Sequence, residues 1–388
     1  FLGLEIKLHE IDAGLTTRRA TIAQKEYTQH VLKTFDEHRP DKGPLRRTHT
    51  PAIDDELSNL GVTEESDVPG LYAPLAAMFI GQLLYLMRGS RAELAVVLSV
   101  LGSYVSKWSV ACDRVLTRVM AYLFTHPDVG LEFVGDSRDL DYLESVTFED
   151  SEHGGHKADS RSVSGAASMI LGRHLTRALI AWFAIKQTVT AVSTGDAEIA
   201  AASVALRRLA LPISGILEDA IGIPNQVTIV VKLKGDAQVA EHVFAAGRSK
   251  ALRYMRKVHR ISIHFVHDVL CQPGHEYEHV ESALNCSDIF TKPLPLEAFA
   301  RHMKYMGLID MSGMTTIEET LDSILMAFHY ALSARHKDQS QIGSGKEVEA
   351  VSPSRRVWTK PLHPDNPLHH VLHLPAHPDC AFGTMSNI

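Results

Sequence analysis

The sequence predicts an α/β fold over residues 140–310, preceded by a short α+β part and then by a helical part. In residues 140–310 the strand-like runs VTIVVKL and ISIHFVHDVL alternate with the helical run AEIAAASVALRRLALPISGILEDA. Residues 71–126 instead carry apolar residues at i, i+3, i+4 and i+7, the spacing of packed amphipathic helices. This change of pattern near residue 140 predicts that residues 1–135 pack as a separate strand-plus-helix unit. The chain has 388 residues, 45% of them hydrophobic and 22% charged, enough for two or three domains with cores. This composition excludes collagen-like, coiled-coil and wholly disordered proteins.

The elements follow in order along the chain. FLGLEIKL predicts a strand, and a polar hairpin leads to a second strand that contains Thr21-Ile22-Ala23. A short helix is expected over 27–35, followed by a loop rich in proline and charge that runs through Thr50-Pro51. The runs AELAVVLSVLGSYV and SVACDRVLTRVMAYLFT predict helices within 71–126. After residue 311 the periodicity is lost, which predicts a poorly ordered tail over 311–388.

Three features bear on the cellular location. The chain opens on an apolar, strand-like run with no basic-then-apolar leader, so we expect a piece cut from a longer polypeptide, without a secretory signal. No stretch approaches the roughly 20 unbroken apolar residues of a membrane span, so we expect no membrane association. The cysteines form no CxxC pair, which suits a reducing, intracellular compartment and argues against a structural zinc site. They are Cys112, Cys271, Cys286 and Cys380.

The charge distribution restricts any binding of nucleic acid to a local patch. The formal net charge is −7, so bulk basicity cannot hold a polyanion. Between positions 248 and 260, however, six of thirteen residues are Lys or Arg, interleaved with Tyr254 and His259. Such a run is either a solvated helix face or a phosphate-binding segment. The residues expected to bind phosphates are Lys250, Arg253, Arg256 and Lys257.

Candidate chemistry lies in four carboxylates. Asp150 follows the strand-like ESVTFE, Glu198 lies near the start of the Ala-rich helix after the capping residues Ser193-Thr194, and Asp236 ends the strand VTIVVKL. Asp288 begins the helix-and-turn segment DIFTKPL. Carboxylates at strand ends and helix starts can converge at one pole of an α/β sheet and hold two divalent cations, and hard oxygen ligands suit Mg²⁺ or Mn²⁺. On spacing alone, helix caps and solvated surface are the alternative interpretation.

The chain resembles a known family, the C-terminal part of the Pol polyprotein of Ty1/copia-type long-terminal-repeat retrotransposons. FLGLEI, TIAQKEYTQHVLKTF and Thr50-Pro51 are similar to the segment after the polymerase active site, with its FLGxxI, Q-x-x-Y helix and TP pair. Tyr72, Gly81, LLYL and the run SRAEL at 90–94 resemble the Y…G-x-L-x-Y-L…T-R-P-D-I block. Trp108 and ACDRVLTRVMAYL resemble the helix that closes the connection region. The order and spacing of these pieces carry the resemblance over roughly residues 1–310.

Residues 150–310 resemble the ribonuclease H domain of the same family. DSEHGGHKADSRSVSG matches D-A-D-x-A-G-D…R-S-T-S-G, and Trp182, Lys186 and Gln187 fit W-x-S-K-x-Q. STGDAE is similar to S-S-T-E-A-E, Asp236-Ala237-Gln238 stands at D-N-Q, and NCSDIFTKPL is close to the A-D-I-F-T-K-x-L block. SKALRYMRK followed by HRISIHF corresponds to the R-x-K-H…H-F stretch, which places His264 at the H-F pair.

The resemblance implies both a fold and an activity. It implies an RNase H-like mixed five-stranded sheet with flanking helices, preceded by a reverse-transcriptase palm/thumb remnant of α+β type and a helical connection. The expected domains are 1–60 (palm/thumb end), 61–138 (connection), 139–310 (RNase H-like) and 311–388 (tail). Asp150, Glu198, Asp236 and Asp288 would hold two Mg²⁺ ions for hydrolysis of the RNA strand of RNA–DNA hybrids. His264 would aid proton transfer or product release, or else be a structural histidine at a strand end.

Departures from the family pattern define the alternative function. The polymerase Asp pair lies upstream of FLGLEI in the family, so the chain is expected to lack polymerase activity by itself. Ala237 replaces Asn, Ser287 replaces Ala, and 90–94 lacks the Pro of TRPDI. The expected partners are a hybrid or other nucleic acid and the rest of the Pol polyprotein, in cytoplasmic virus-like particles or the nucleus. The two hypotheses are a ribonuclease H within an RNA-directed DNA polymerase polyprotein and a catalytically inactive relic that only binds nucleic acid.

Overall fold

A computed structural model describes residues 3–9, 16–222 and 228–313, so most of the expected 311–388 tail lies outside the described residues. The first part consists of two antiparallel strands followed by helices that pack around one apolar centre. Val31 and Phe35 of the first helix are fully buried there, next to Phe79 of the third. The two strands, the helix and the helical region predicted for this part are confirmed, and the predicted hairpin connection at 10–15 lies outside the described residues. The elements are β1 (Glu5–His9), β2 (Thr17–Ala23), α1 (Lys25–His38), α2 (Asp54–Ser58), α3 (Ala76–Gly89), α4 (Ala95–Gly102) and α5 (Val110–Thr125).

In the second part of the chain, the alternation of strands and helices that the sequence predicts over 140–310 is found from residue 194 onward, whereas residues 129–186 form four consecutive strands. The longest helical run of this part continues from α6 through a π-helical turn at Leu206–Ala210 into α7. The strands are β3 (Val129–Asp136), β4 (Tyr142–His156), β5 (Arg161–Gly172), β6 (Arg177–Lys186), β7 (Thr228–Gly235), β8 (His275–His279) and β9 (Leu308–Asp310). The helices are α6 (Thr194–Ala205), α7 (Leu211–Leu217), α8 (Gln238–Ala246), α9 (Met255–Val258), α10 (Ile263–Leu270) and α11 (Leu296–Met306).

The strands of the described residues form one mixed sheet in the order β1-β2-β3-β6-β5-β4-β7-β8, with β9 pairing to β3. β4, β5 and β6 are antiparallel neighbours, whereas β7 lies parallel to both β4 and β8. The five strands β6-β5-β4-β7-β8, flanked by helices, are consistent with the mixed RNase H-like sheet that the family resemblance implies.

The sheet is covered on both faces. On one face, Ala166 of β5 packs with apolar residues of α6, α7, α8 and α10. On the other, Val146 and Phe148 of β4 belong to the same buried cluster as the helices of the first part and α11. The prediction that residues 1–135 pack as a separate unit is therefore wrong. Residues of β4 and β5 share that cluster with α1 and α3–α5, and the sheet crosses from β3 to β6 at the pair Val134–Arg177. The predicted domain boundaries themselves stay a prediction.

Two local predictions for the second part are wrong. ISIHFVHDVL, expected as a strand, forms helix α10. Ile263, Val266 and Val269 repeat at three-residue spacing and lie on one buried face of this helix. The Ser262 hydroxyl caps the helix by accepting a hydrogen bond from the Phe265 N–H at 3.2 Å. The basic run at 248–260 is not a continuous helix: it consists of turns and the four-residue helix α9.

One described helical run, Thr194–Ile221, is long and apolar enough to cross a membrane by length and composition alone. Charged residues such as Glu198, Arg207 and Arg208 interrupt it, so it contains no unbroken apolar stretch of about 20 residues. Of its most apolar window, 61% is buried inside the protein, and α6 packs against β4 and β5. The helix is thus part of the core around the sheet, and core helices pass the same composition test.

Candidate metal centre

Three of the predicted carboxylates converge at one edge of the sheet. One oxygen from each of Asp150, Glu198 and Asp236 lies within 4.8 Å of one from each of the others. Phe148 of β4 and Lys234 of β7 pair in the parallel ladder, and Asp150 and Asp236 each follow two residues later. The two aspartates therefore meet because they occupy equivalent positions on neighbouring strands.

Helix α6 brings Glu198 to the same edge. The Ser193 hydroxyl accepts from the Asp196 N–H at 3.3 Å, which confirms the predicted capping residue and fixes the start of the helix. Glu198 lies one turn into α6 with its side chain buried, and its Oε2 has no hydrogen-bond partner among the described residues. A buried, unpaired carboxylate oxygen is costly, and a bound cation would satisfy it.

Contacts around the triad hold its members in place. Ser282 donates from its hydroxyl to Asp236 Oδ2 at 2.5 Å, and the Thr291 hydroxyl donates to Asp150 Oδ2. Gln187 Nε2 lies within hydrogen-bonding distance of Ser151 Oγ, Ser164 Oγ and the Ala197 carbonyl. Gln187 thereby ties β4 and β5 to the residue before Glu198, which gives the glutamine of the W-x-S-K-x-Q match a structural role.

Asp288, the fourth predicted carboxylate, lies beside the triad but is not one of its members. It belongs to the turn Cys286–Phe290, which Asn285 anchors by donating from Nδ2 to the Glu149 carbonyl at 2.8 Å. Lys292 Nζ lies 2.9 Å from Asp288 Oδ1 and 4.0 Å from Asp150 Oδ2. The structure therefore brings all four carboxylates to one region, and pairs the fourth with a lysine.

Glu149 is a further carboxylate of the site that sequence reasoning missed. It is fully buried on β4, accepts from the Tyr277 hydroxyl at 3.1 Å through Oε1, and its Oε2 has no hydrogen-bond partner among the described residues. A Cβ at Gly235 would lie 2.1 Å from Glu149 Oε1, so glycine is needed there to make room for this carboxylate. The sequence signal for Glu149 was its position directly before Asp150, as a charged residue at the end of an otherwise apolar strand-like run.

The electrostatics of the site favour a bound cation. Burial, followed by repulsion from Glu149, Asp150 and Asp236, raises the pKa of Glu198 to about 10. Burial, together with repulsion from Asp150, also raises the pKa of Asp288 to about 7, although Lys292 opposes the shift. Burial raises the pKa of Glu149 well above its usual range. Without a cation, protons must relieve this repulsion. A divalent ion can replace them, so the triad can bind metal.

The basic run lies on the surface near α6. The Tyr254 hydroxyl donates to Asp196 Oδ2, which is two residues before Glu198. All six basic side chains are exposed and, within the described part of the chain, none forms an ion pair. They are Arg248, Lys250, Arg253, Arg256, Lys257 and Arg260.

From the sequence, His264 was expected at the end of a strand. In the structure it is exposed on helix α10. No hydrogen bond or ion pair within the described ranges links it to the four carboxylates. Its auxiliary role stays a prediction.

Comparison with known proteins gives one distant similarity. No protein-family model matches the chain. Among solved structures, RNase H1 from the halophilic archaeon Halobacterium salinarum NRC-1 is 14% identical, with 39% of this chain and 94% of that chain covered and a TM-score of 0.25. A likeness this distant defines neither the fold nor the function of this chain. The evidence for both is the strand order and the group of carboxylates.

Proposed function

We propose that this protein is a metal-dependent nuclease that hydrolyses the RNA strand of RNA–DNA hybrids. The observation that carries the proposal is the convergence of Asp150, Glu198 and Asp236 within 4.8 Å at one edge of a mixed sheet. Carboxylates of this number and spacing suit Mg²⁺, with Mn²⁺ as a substitute. The orphaned oxygen of Glu198 supports this assignment, because a helix cap or a solvated carboxylate would not leave it unpaired.

A divalent cation held by Asp150, Glu198 and Asp236 would lower the pKa of a water and stabilise charge on the departing 3′ oxygen. Thr291 and Ser282 fix the orientation of the two aspartates. In the hydrolysis, the water oxygen bonds to phosphorus and the P–O3′ bond breaks. The proton released by the water ends on the 3′ oxygen, which leaves a 5′-phosphate and a 3′-hydroxyl. The count of two ions implied by the family resemblance requires Asp288 as a further ligand, and in the structure Asp288 is paired with Lys292.

The exposed basic run supports nucleic acid as the substrate. Lys250, Arg253, Arg256 and Lys257 are solvent-accessible and not neutralised by carboxylates among the described residues. Through the contact of Tyr254 with Asp196, the run is tied to the helix that carries Glu198. Phosphates bound there would hold the substrate next to the helix that carries Glu198, while contacts to 2′-hydroxyls would select RNA.

We further propose that the chain derives from a Ty1/copia-type Pol polyprotein, with residues 1–138 as the end of the reverse transcriptase and its connection. The quoted motifs of the sequence support this origin. In that setting the protein acts inside the cell, in virus-like particles or the nucleus, without membrane attachment. The rest of Pol is then its protein partner.

The test is cleavage of a labelled RNA–DNA hybrid by the full chain, with Mg²⁺ and with EDTA. We expect the RNA strand to be cut only with Mg²⁺ and the DNA strand to stay intact. Asp150→Asn should lower cleavage at least 10³-fold yet retain hybrid binding and the unfolding temperature. Asp141→Asn, at an exposed aspartate just before β4, is the matched control and should leave cleavage unchanged.

If a folded wild-type chain binds hybrid but cleaves no better than Asp150→Asn, the enzyme hypothesis fails. The chain is then the inactive, nucleic-acid-binding relic.

A further inference from the structure

Lys292 places a positive charge beside two of the four carboxylates. Its ammonium group is 2.9 Å from Asp288 Oδ1 and 4.0 Å from Asp150 Oδ2. The Asp288 side chain is 11% exposed and that of Lys292 is 37% exposed, so the lysine sits at the mouth of the site with the carboxylate behind it. Asp288 thus already has a positive partner from its own chain.

The turn that carries this pair is firmly attached to the sheet. The backbone N–H groups of Thr291 and Lys292 both donate to the Asp288 carbonyl, at 3.1 and 3.2 Å. Asn285 ties the start of the turn to β4, and the Thr291 hydroxyl ties its end to Asp150. Because both ends are fixed, the lysine is held near the triad by the backbone and not only by its own ion pair.

Asp288 differs from the other three carboxylates in its partners. Asp150, Glu198 and Asp236 share a common centre, whereas the Asp288 side chain lies between Asp150, which repels it, and the Lys292 ammonium group, which neutralises it. A second divalent ion at Asp288 would have to displace the ammonium group or lie close to it, and the repulsion between a divalent ion and a lysine a few ångströms apart is large in a buried site. A lysine is itself a compact charge with three donors, well suited to a phosphate oxygen.

We propose that Lys292 supplies the second positive charge of the site, so that the protein binds one divalent ion per chain at the triad. Asp288 is then a positioning residue for the lysine, and not a metal ligand. The lysine contacts the scissile phosphate and stabilises the charge that develops on it. The contact of Lys292 with phosphate rests on the proposed nuclease function, whereas the number of bound ions does not depend on that function.

The experiment counts ions directly in the full chain, by calorimetric titration with Mn²⁺. Wild type should bind one ion that Asp150→Asn loses. Lys292→Met should bind two, because Asp288 is released as a ligand, and Lys292→Arg should keep one. Lys33→Met, at an exposed lysine of α1, is the control for general loss of charge and should also keep one. If Lys292→Met does not fold, judged by its thermal transition, Lys292→Gln takes its place.

Two ions in wild type, or one ion in the folded neutral variants, overturn the proposal. On a cleavable hybrid, Lys292→Met should lower kcat about 10²-fold. Absence of cleavage by wild type would refute the nuclease function while leaving the ion count decided by titration.

Discussion

Gly165 lies directly opposite Asp150 in the antiparallel ladder of β4 and β5. A Cβ at this position would lie 2.7 Å from both Phe290 Cβ and Thr291 Cγ2. The absence of a side chain therefore allows the turn that carries Asp288, Thr291 and Lys292 to pack directly on the strand beside Asp150. The glycine that ends the R-S-V-S-G segment is required by close approach, not by an unusual backbone conformation.

Gly165→Ala should push this turn away from β5. We expect the free energy of unfolding to fall by about 1–3 kcal/mol, as for other overpacked sites, and the affinity for Mn²⁺ to fall as Asp150 loses the Thr291 contact. Gly135→Ala is the matched control, because that strand glycine has no atom within 4 Å of its Cβ position. The measurements are urea unfolding and Mn²⁺ titration. Equal stability and affinity in the two variants would show that the turn does not depend on Gly165.

The sequence was sufficient for the parts of the site that follow apolar runs or caps. Strand β7, Thr228–Gly235, includes most of VTIVVKL, so Asp236 at its end could be placed, and Ser193 marked the helix start before Glu198. The convergence of Asp150, Glu198 and Asp236 follows from those two facts together with the family resemblance. The separation of Asp288 from that triad could not be foreseen, because the pairing with Lys292 depends on how one turn packs against β5.

Other elements could not be predicted from the sequence, because charged residues stand where strands usually carry apolar ones. Strand β8, HEYEH, has no apolar periodicity. It pairs with β7 in a parallel ladder, and ion pairs such as that between Lys234 Nζ and Glu278 Oε2 at 3.0 Å add to the contact. The single crossing of the sheet at Val134–Arg177 likewise has no sequence signal, so the two parts of the chain were expected to pack separately. These features arise from tertiary contacts, which local patterns do not encode.

Reversing three charges of the basic run tests its contact with nucleic acid. Changing Arg253, Arg256 and Lys257 to Glu should weaken hybrid binding by tenfold or more at low salt. It should also reduce the slope of log K against log salt by about 2–3, since each phosphate contact contributes roughly 0.7–0.9. The matched control reverses Lys33, Arg46 and Arg47, which are also exposed but lie in the first part of the chain. Fluorescence anisotropy at several salt concentrations provides both numbers. An identical salt slope in the two triple variants would identify the run as a solvated surface.

The raised pKa of Glu198 makes stability depend on pH when divalent ions are absent. The carboxyl has an ordinary pKa near 4.5 in the unfolded chain and about 10 in the folded one. Between these values the folded state holds a proton that the unfolded state has released, so this group lowers stability as pH rises. His302 acts in the opposite sense at low pH, because burial lowers its pKa to about 4. The effect of Glu198 must therefore be measured as a difference between wild type and a variant.

Glu198→Gln removes this one titration without changing the size of the side chain. In EDTA, the stability of the variant relative to wild type should increase from pH 5 to pH 8, by as much as about 1.4 kcal/mol per pH unit, the limit for one proton. Saturating Mg²⁺ should stabilise wild type at pH 8, where the ion takes the place of the proton, and should stabilise Glu198→Gln much less. Urea unfolding at pH 5, 6.5 and 8, with EDTA and with Mg²⁺, measures both effects. Parallel stability curves for the two proteins in EDTA would mean that Glu198 is ionised in the folded state without metal, and the repulsion argued for the triad would then be absent.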